Sequence, residues 1–431
     1  MVEPLVIPRA EHPISRRSID PDALRVLYRL KEAGFTAYLV GGSVRDLLLG
    51  RKPKDYDIGT SAHPYQVKRL FRNCFIIGRR FRLAHVKFGQ KVIEVATFRR
   101  QVPAADAEEV APGVPPAPPA GVEAQHARDL LIHRDNTFGT PEEDAFRRDF
   151  TINALAYDIA TFSIIDYVGG LEDLRAKVVR SIGNPDDRFR EDPVRMLRAI
   201  AFASRLGFRV DEPSYEAIGR NRMELARSSP ARLLEEYYKI LRSGASERTF
   251  RALAEVGLLE PVTPALQHGA SERLWTSLAD VDRYRLRFET APPSLTTAIL
   301  AGSLLAPLGF TPDVYARREP PEPASPRAVL GPLPVARKDL ERLRHVLLLQ
   351  RRLRDESLPP RTARAVMARS AFPEALVWLD VHGGAPELVE RWHALAHDAA
   401  ALAPAGSAPG AVVPRRRRRR RRRRFPRPPR T

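Results

Sequence analysis

The chain has 431 residues, which is enough for two or more domains, and 43% of them are apolar, as is usual for a globular protein. Its formal charge of +19 is concentrated at one end, because residues 415–431 contain twelve arginines and no acidic residue. This distribution favours a polyanionic partner, nucleic acid first and an anionic membrane second.

The single cysteine, Cys74, excludes an intrachain disulfide and favours a reducing compartment. No stretch approaches the roughly 20 apolar residues that span a bilayer. The N-terminal sequence MVEPLVIPRAEHP has an acidic residue at position 3 and no long apolar run, unlike a signal peptide. We therefore expect a cytoplasmic protein with no membrane partner.

The predicted elements begin after an irregular N-terminal extension over residues 1–20. Leucines at helical spacing predict a helix over 21–33, with Asp20 as its N-cap and Gly34 as its stop. Further elements follow in this order: a strand at 36–40, a glycine turn, a helix at 44–49, a strand in YDIGT, a helix in HPYQVKRLFR, and strands in FIIG, LAHVKFG and KVIEVATFR. The pattern indicates a mixed α/β head domain over residues 21–168.

The rest of the chain is divided by changes in composition. Residues 102–124 are rich in Pro and Ala and lack periodicity, which predicts a disordered insertion in the head. From Glu172 onward the pattern is helical, with stops near Gly207, Gly244 and Gly257. We expect a helical domain over 169–260, a helical C-terminal domain over 261–401 and a disordered arginine-rich tail over 402–431.

A glycine–serine turn carries the first chemical signal. Gly41, Gly42 and Ser43 lie between a predicted strand and a predicted helix, where free N–H groups attract a phosphate and glycine permits its close approach. The Ser43 hydroxyl adds a donor, and Arg45 could bind a phosphate oxygen. The turn is a predicted phosphate site, although the chain contains no G-x-x-x-x-G-K-[ST] loop.

Two aspartates follow the turn. Asp55 and Asp57 are two residues apart in a predicted strand, so both carboxylates should face the same side. Two like charges this close are costly without a cation, and Mg²⁺ completed by substrate phosphates would fit. An isolated D-x-D pattern more often marks a solvated strand start, but the neighbouring phosphate turn favours a metal site.

A third carboxylate could come from either of two places. Asp149 follows Arg147 and Arg148, and it could hold a ribose hydroxyl or share a metal while the arginines neutralise phosphate charge. Alone, this motif is more simply a charged helix start with a capping acid. Glu94 is the only acidic residue of an apolar strand, where an unpaired charge is costly. The residues leave both as candidates for a two-metal site.

An acid–base pair forms the last motif. Asp192 and Arg195 are three residues apart, so on a helix they share a face and could accept from and donate to the edge of an adenine. The alternative is that Asp192, which precedes Pro193, is a helix N-cap, and the sequence alone favours the cap. Arg198 lies on the same face and could reach a phosphate.

These motifs together resemble a known superfamily. GS, a spacer of eleven residues and DYDI resemble the signature of the DNA-polymerase-beta-like nucleotidyltransferases. With RRDFTINALAYD, DYVGGLEDL and REDPVRMLRAIAFASRLGF, residues of about 15–260 resemble its class II, the bacterial poly(A) polymerases and CCA-adding tRNA nucleotidyltransferases. The resemblance implies an α+β chain in which a nucleotidyltransferase (DNA-polymerase-beta-like) α/β head precedes all-helical domains and a disordered arginine-rich tail.

The resemblance also implies roles for individual residues. Asp55 and Asp57 would bind Mg²⁺, with two ions expected, and Asp149 would be a catalytic acid of the active site, while Glu94 stays the competing candidate for the third catalytic carboxylate. ATP would be the substrate. The residues expected to contact the nucleotide are Gly42, Ser43, Arg45, Arg147, Arg148, Asn153, Glu191, Asp192, Arg195 and Arg198.

Residues 75–89 separate the two activities of the class. There Arg79, Arg80 and Arg82 surround Phe81, an arrangement that suits a phosphate backbone and base stacking, although a basic turn on a solvated sheet edge is the alternative. The stretch resembles the poly(A) polymerase branch. The consecutive arginines Arg415–Arg424 would bind any RNA through counterion release.

We therefore expect template-independent addition of AMP from ATP to single-stranded RNA 3′ ends, with release of pyrophosphate, in mRNA polyadenylation or other RNA processing. One alternative is a CCA-adding tRNA nucleotidyltransferase. Another, of a different class, is a non-catalytic RNA-binding protein that uses the same fold as a scaffold.

Overall fold

The computed structural model describes residues 3–78, 82–100, 138–311 and 326–401. The predicted insertion at 102–124 and the predicted tail over 402–431 lie outside these residues. So do four arginines expected to contact RNA, namely Arg79, Arg80, Arg415 and Arg424.

An eight-stranded sheet forms the centre of the head, in the order β1-β8-β7-β2-β3-β6-β5-β4. Neighbouring strands are antiparallel except β3 and β6, which are parallel. The strands are Leu5–Ile7 (β1), Ala37–Val40 (β2), Asp57–Thr60 (β3), Cys74–Ile77 (β4), Leu83–Phe88 (β5), Lys91–Thr97 (β6), Ala156–Asp158 (β7) and Ser163–Asp166 (β8). Two further short strands, Val178–Val179 (β9) and Arg209–Val210 (β10), pair with each other in parallel.

Helices cover one face of this sheet. The helices of the head are Pro21–Glu32 (α1), Gly42–Leu48 (α2), Pro64–Leu70 (α3) and Pro141–Phe146 (α4). The first of them buries Val26, Leu27 and Leu30 in the same core as Leu39 and Ile58 of the central strands. Burial of such side chains is the main stabilising term, because it removes apolar surface from water. A separate, smaller apolar cluster contains Val40, Ala156 and Ile165 of the central strands.

The first predicted helix is confirmed in detail. α1 begins after Asp20, whose carboxylate accepts hydrogen bonds from the backbone N–H groups of Asp22 at 2.9 Å and Ala23 at 3.4 Å. It is followed by Gly34 with a φ of +83°, a conformation in which glycine carries no steric cost. The predicted strands also form, as β2 to β6.

The N-terminal extension is not irregular, in contrast to the prediction for residues 1–20. Leu5, Val6 and Ile7 pair with Asp166, Ile165 and Ile164 of β8 and form an edge strand of the head sheet. Only Ile7 of the three is buried, so a short and mostly exposed strand gave no periodic signal.

The remainder of the described chain is helical apart from β9, β10 and short turns. Gly207 ends α7 in the left-handed conformation, as predicted. None of the helices in the described residues is long and apolar enough to cross a membrane. The helices are Gly170–Ala176 (α5), Pro185–Glu191 (α6), Val194–Leu206 (α7), Glu212–Asn221 (α8), Pro230–Leu241 (α9), Ser246–Glu255 (α10), Pro264–His268 (α11), Glu272–Arg285 (α12), Thr297–Leu305 (α13), Pro326–Leu330 (α14), Arg337–Leu353 (α15), Pro360–Met367 (α16), Phe372–His382 (α17) and Pro386–Ala401 (α18).

Candidate active site

The sheet register brings two carboxylates together on the open face. Asp57, the first residue of β3, is the partner of Val40 on one side and of Glu94 on the other. Directly opposed residues project to the same face, so the Asp57 and Glu94 side chains are neighbours while Ile58 points into the core. Because Gly41 follows Val40, the glycine–serine turn begins beside this acidic pair.

The electrostatics of Asp57 reflect that crowding. The Asp57 carboxylate keeps access to solvent, but the protein around it displaces part of its water and so raises its pKa to about 6. The negative charges of Glu94 and Asp55 raise the pKa further. The positive charge of Arg148 opposes the rise. A carboxylate destabilised by like charges is a natural partner for a cation.

Asp55 lies differently from the prediction. It precedes β3 rather than lying in it, its side chain is exposed, and the nearest cation is the Nζ of Lys54 at 3.7 Å. The common strand face expected for the two aspartates is therefore not formed, because the strand begins only at Asp57. Its charge still acts on Asp57.

The oxygen donors at this end of the sheet suit a hard divalent cation. Within the described residues no group of three or more His, Cys, Asp or Glu side chains converges closely enough to hold a metal alone. Mg²⁺ in proteins usually takes only one or two carboxylates and completes its coordination with water and substrate phosphates. Asp57, with Glu94 beside it and Asp55 near, fits that mode of binding.

The glycine–serine turn is covered by an arginine. Gly41 has φ +74° and ψ −133°, and its N–H donates to the carbonyl of Leu155 at 3.0 Å. A Cβ at this position would lie 2.7 Å from Nη1 of Arg148, so the guanidinium rests directly over the turn. The Ser43 hydroxyl is buried and donates to the carbonyl of Val40 at 3.0 Å. Glycine is needed here both for its conformation and for the space that Arg148 occupies.

Arg148 and Arg147 are held by an acid that sequence reasoning missed. The buried carboxylate of Asp144 accepts from Nε of Arg147 at 3.1 Å and from Nη2 of Arg148 at 3.0 Å. Burial would raise the pKa of Asp144, but the two guanidinium charges outweigh it and lower the pKa. Spacings of three and four residues between acid and bases on one short helix were the available signal.

Arg45 is buried rather than exposed to a ligand. Its guanidinium donates to Asp46 at 2.8 Å and to the side-chain oxygen of Asn153, and it packs over the ring of Phe202. The amide nitrogen of Asn153 in turn donates to Asp149 at 3.1 Å. The expected contact of Arg45 with a phosphate stays a prediction.

Asp149 is bound on both oxygens. Its Oδ1 accepts from the N–H of Phe150 and from Asn153, and its Oδ2 accepts from Nε and Nη2 of Arg198 at 2.9 and 2.6 Å. Burial would raise its pKa, but the charge of Arg198 and these hydrogen bonds lower it. Arg198 belongs to α7, so the pair joins the head to the helices that follow. Glu94, not Asp149, is the register neighbour of Asp57.

Asp192 is not the helix N-cap that the sequence alone favoured. It ends α6, and no side chain caps α7. Its Oδ2 accepts from Nη2 of Arg232 at 2.8 Å, whereas its Oδ1 is buried and has no hydrogen-bond partner among the described residues. A buried acceptor without a donor is costly, so this oxygen is suited to a ligand.

The predicted partner of Asp192 is held in place by its neighbours. Arg195 donates to Glu191 at 2.7 Å and to the carbonyl of Arg188 at 3.1 Å. Arg188 also donates to the carbonyls of Arg147 and Arg148, which ties α6 to the arginines over the glycine turn. Arg188 and Arg232 were not predicted, since a single arginine in a basic chain has no distinguishing pattern.

Of the arginines predicted in residues 75–89, only Arg82 is described. Its guanidinium lies over the ring of Tyr65, 5.7 Å from the ring centre. The strand before it exposes Phe75 and Ile77, so cations and aromatic surface are adjacent at this edge of the sheet.

The fold and the site define a class of protein, a nucleotidyltransferase head domain followed by a helical C-terminal region. Residues 37–180 match the family described as the poly A polymerase head domain, and residues 207–269 match the family described as the probable RNA and SrmB-binding site of polymerase A. Residues 37–180 and 207–269 are therefore similar to the head and RNA-binding domains of poly(A) polymerases, as the sequence motifs predicted. The domain boundaries given above stay predictions.

Individual relatives come from both branches. The chain is 51% identical over 257 residues to poly(A) polymerase I of Salmonella typhi, a match that covers 60% of this chain and 53% of the relative. It is 38% identical over 240 residues to the CCA-adding enzyme of Lactobacillus helveticus, covering 56% and 54%. The chain thus spans about half the length of the curated relatives it matches.

Similarity to solved structures extends over most of the chain. The CCA-adding enzyme of Bacillus stearothermophilus in complex with CTP superposes with a TM-score of 0.61 and 28% identity, covering 89% of this chain and 84% of that one. The similarity to the curated relatives covers only about 60% of this chain, whereas the structural similarity reaches into its C-terminal helices.

Proposed function

We propose that the protein is a polynucleotide adenylyltransferase, which adds AMP from ATP to the 3′ ends of single-stranded RNA and releases pyrophosphate. The observation that supports this most is the Asp57–Glu94 pair, which the sheet register sets beside the Gly41–Ser43 turn. Carboxylates next to a phosphate-binding turn are what nucleotidyl transfer requires. The 51% identity to a poly(A) polymerase I favours adenylation.

Mg²⁺ would be held by Asp57 and Asp55, with Glu94 as the third carboxylate, and would supply charge to activate the RNA 3′-hydroxyl and to stabilise the leaving pyrophosphate. We prefer Glu94 to Asp149 in this role because Asp149 already accepts hydrogen bonds on both oxygens. In this proposal Asp149 positions Arg198 and Asn153 rather than binding the metal.

The turn and the arginine over it would receive the triphosphate. The backbone at Gly42 and the guanidinium of Arg148 lie within one small surface, and Arg147 extends it. Because Arg148 is fixed by Asp144, it would present its charge without first losing side-chain entropy. Ser43 and Arg45, both buried, would hold the shape of the turn from beneath.

Base selection would fall to Asp192 and Arg195. The unpartnered Oδ1 of Asp192 could accept from the N6 amino group of adenine, and Arg195, oriented by Glu191, could donate to N1. Loss of a hydrogen bond that leaves such an oxygen unpaired costs about 1–3 kcal/mol.

RNA would be held by Arg79, Arg80 and Arg82 and by the arginine-rich tail. We further propose that the protein acts in the cytoplasm, where both ATP and RNA are present.

A CCA-adding activity is the second candidate, favoured by the structural similarity to a CCA-adding enzyme bound to CTP. The test offers the purified full chain Mg²⁺ and either a generic RNA of about 20 nucleotides or a tRNA lacking its CCA end, with each nucleotide alone and with ATP and CTP together. Extension of the generic RNA by many A residues supports the proposal. Addition limited to C, C and A on the tRNA contradicts it.

The Asp57→Asn variant is the control in the same experiment. It should bind RNA and add nothing. RNA binding by the unsubstituted chain with no incorporation of any nucleotide would instead support the third possibility, a non-catalytic RNA-binding protein.

A further inference from the structure

Three arginines surround one aromatic ring where the head meets the helices that follow it. The guanidinium carbons of Arg45, Arg198 and Arg205 lie 5.2, 5.3 and 5.5 Å from the centre of the Phe202 ring. Arg45 comes from α2 of the head, and the others come from α7. Cation–π attraction to one ring offsets only a small part of the repulsion among three cations.

Two of these charges are balanced by carboxylates. Arg45 binds Asp46 through Nε and Nη2, and Arg198 binds Asp149 through Nε and Nη2. Arg205 has no hydrogen bond or ion pair with any of the described residues. Asp46 is close enough to act on Arg205 electrostatically, but its Oδ1 is already taken up by Arg45.

The surroundings disfavour the charge on Arg205. Burial, and the positive charges of Arg45, Arg51 and Arg198, lower the pKa of its guanidinium to about 10, and only Asp46 opposes them. Arg205 is only partly buried, so water offsets part of the cost of its unpaired charge, but a counter-ion would still stabilise it. An anion bound here would relieve the repulsion among the arginines as well.

The position of the cluster restricts which anion could reach it. Arg198 connects it to Asp149, and Arg45 connects it to the glycine turn, because Nη2 of Arg45 would lie 3.5 Å from a Cβ at Gly42. The cluster therefore adjoins the candidate active site. Arginine is the preferred side chain for phosphate, since its planar guanidinium matches phosphate geometry, and Phe202 holds the arginines around it.

We propose that Arg205, which lies beside Arg45 and Arg198 around Phe202, binds a phosphate group of a substrate. This inference rests on the proposed function only for the identity of that substrate. Two sources share the chemistry, a phosphodiester of the RNA backbone near its 3′ end and the triphosphate of the incoming nucleotide.

The test compares Arg205→Gln with Arg209→Gln in the full chain. Arg209 is exposed, lies four residues further along and is not part of the cluster, so its variant removes the same charge without touching the site. Binding of a fluorescein-labelled hexamer of oligo(A) is titrated without ATP or Mg²⁺ at several salt concentrations. Binding of a fluorescent ATP analogue is titrated separately without RNA.

We expect Arg205→Gln to lower the affinity for one of these two ligands by about tenfold, because one charge-assisted hydrogen bond is lost. Arg209→Gln should lower the affinity for neither ligand. If the ligand is RNA, the slope of log K against log salt should also fall by about 0.7, the value for one phosphate of a single strand. Weaker binding of the ATP analogue alone would assign the site to the triphosphate. Arg205→Lys should recover part of the affinity.

Unchanged binding of both ligands in Arg205→Gln, in a variant that unfolds at the same urea concentration as the unsubstituted chain, overturns the proposal. The proposal is also overturned if Arg209→Gln lowers the affinity as much as Arg205→Gln does, since the effect would then come from the loss of any positive charge and not from a specific site. These titrations need no catalysis. A chain that adds no AMP but loses phosphate binding on Arg205→Gln would contradict the proposed function and leave this inference intact.

Discussion

Gly41→Ala tests how the phosphate turn is built. The residue has φ +74° and ψ −133°, outside the left-handed helical region, and such a conformation costs an L-residue on the order of 1–3 kcal/mol. The new Cβ would also lie 2.7 Å from Nη1 of Arg148. Nη1 of Arg148 would have to move and give up its bond to the Asn153 carbonyl at 3.1 Å, but it is the end of a flexible side chain that Asp144 still holds, so this shift should cost about 1 kcal/mol.

The matched control is Gly50→Ala, just after the end of the same helix. Gly50 has φ +67°, and a Cβ added there would meet nothing within 4 Å, so this variant carries backbone strain of about 1–2 kcal/mol and no steric conflict. We therefore expect Gly41→Ala to lower the free energy of unfolding by about 1–2 kcal/mol more than Gly50→Ala. Urea titrations followed by circular dichroism measure the difference.

The two variants should also differ in activity. A displaced Arg148 no longer covers the turn, so Gly41→Ala should lose most of its AMP incorporation under conditions where it is folded, and Gly50→Ala should retain it. Equal stabilities for the two variants, together with normal incorporation by Gly41→Ala, would refute the placement of Arg148 over the turn and the role given to it.

Three further perturbations separate the carboxylates, and a fourth tests the tail. Asp57→Asn should abolish AMP incorporation and yet raise the melting temperature of the protein in EDTA at about pH 7.5. The pKa of Asp57 in the folded state is about 6, above the ordinary value for aspartate, so this gain in melting temperature should shrink as the pH falls from about 6 toward 4. A melting temperature below that of the unsubstituted chain at about pH 7.5 would contradict the raised pKa. Glu94→Gln should reduce incorporation by about 100-fold or more with little change in stability, since half of its side chain is exposed. Asp149→Asn should lower the free energy of unfolding by about 3 kcal/mol at about pH 7, and the loss should become smaller as the pH falls below the ordinary pKa of an aspartate, because the pKa of Asp149 is lowered in the folded state and the stabilisation disappears as its carboxylate is protonated. A loss that does not change with pH would argue against its pairing with Arg198. Deletion of residues 412–431 should weaken RNA affinity and flatten its salt dependence but leave turnover at saturating RNA, and complete loss of turnover there would contradict a role limited to binding.

The sequence was most informative where a local pattern has one structural outcome. Asp20 before an apolar helix, the alternating strands and the Gly207 stop all formed as expected, because caps, periodicity and positive φ act over a few residues. The edge strand Leu5–Ile7 was missed because its partner, β8, lies more than 150 residues away in the chain. Pairings of that kind depend on the whole sheet and leave no mark in a three-residue segment.

The choice between Glu94 and Asp149 shows the same limit at the site. Both are acids in plausible contexts, and nothing within a few residues of either indicates which one opposes Asp57. The parallel pairing of β3 with β6 sets Glu94 beside Asp57, which is why Glu94 is the proposed third carboxylate. The helix N-cap assigned to Asp192 failed for a related reason: Pro193 does precede α7, but the carboxylate turns to Arg232, 40 residues further along.

The motif residues are also bound to one another more than the sequence suggested. Arg45 donates to Asn153, Asn153 donates to Asp149, and Asp149 accepts from Arg198, so one continuous path of hydrogen bonds joins the glycine turn of the head to α7. An amide suits the middle position, because its oxygen can accept from a cation while its NH₂ group donates to a carboxylate. A carboxylate at 153 would repel Asp149, and an aliphatic residue would leave two buried charges without this bond. Residues that a motif suggests as substrate ligands can therefore also fix one another, and the contacts of Asn153 and Arg45 are of that kind.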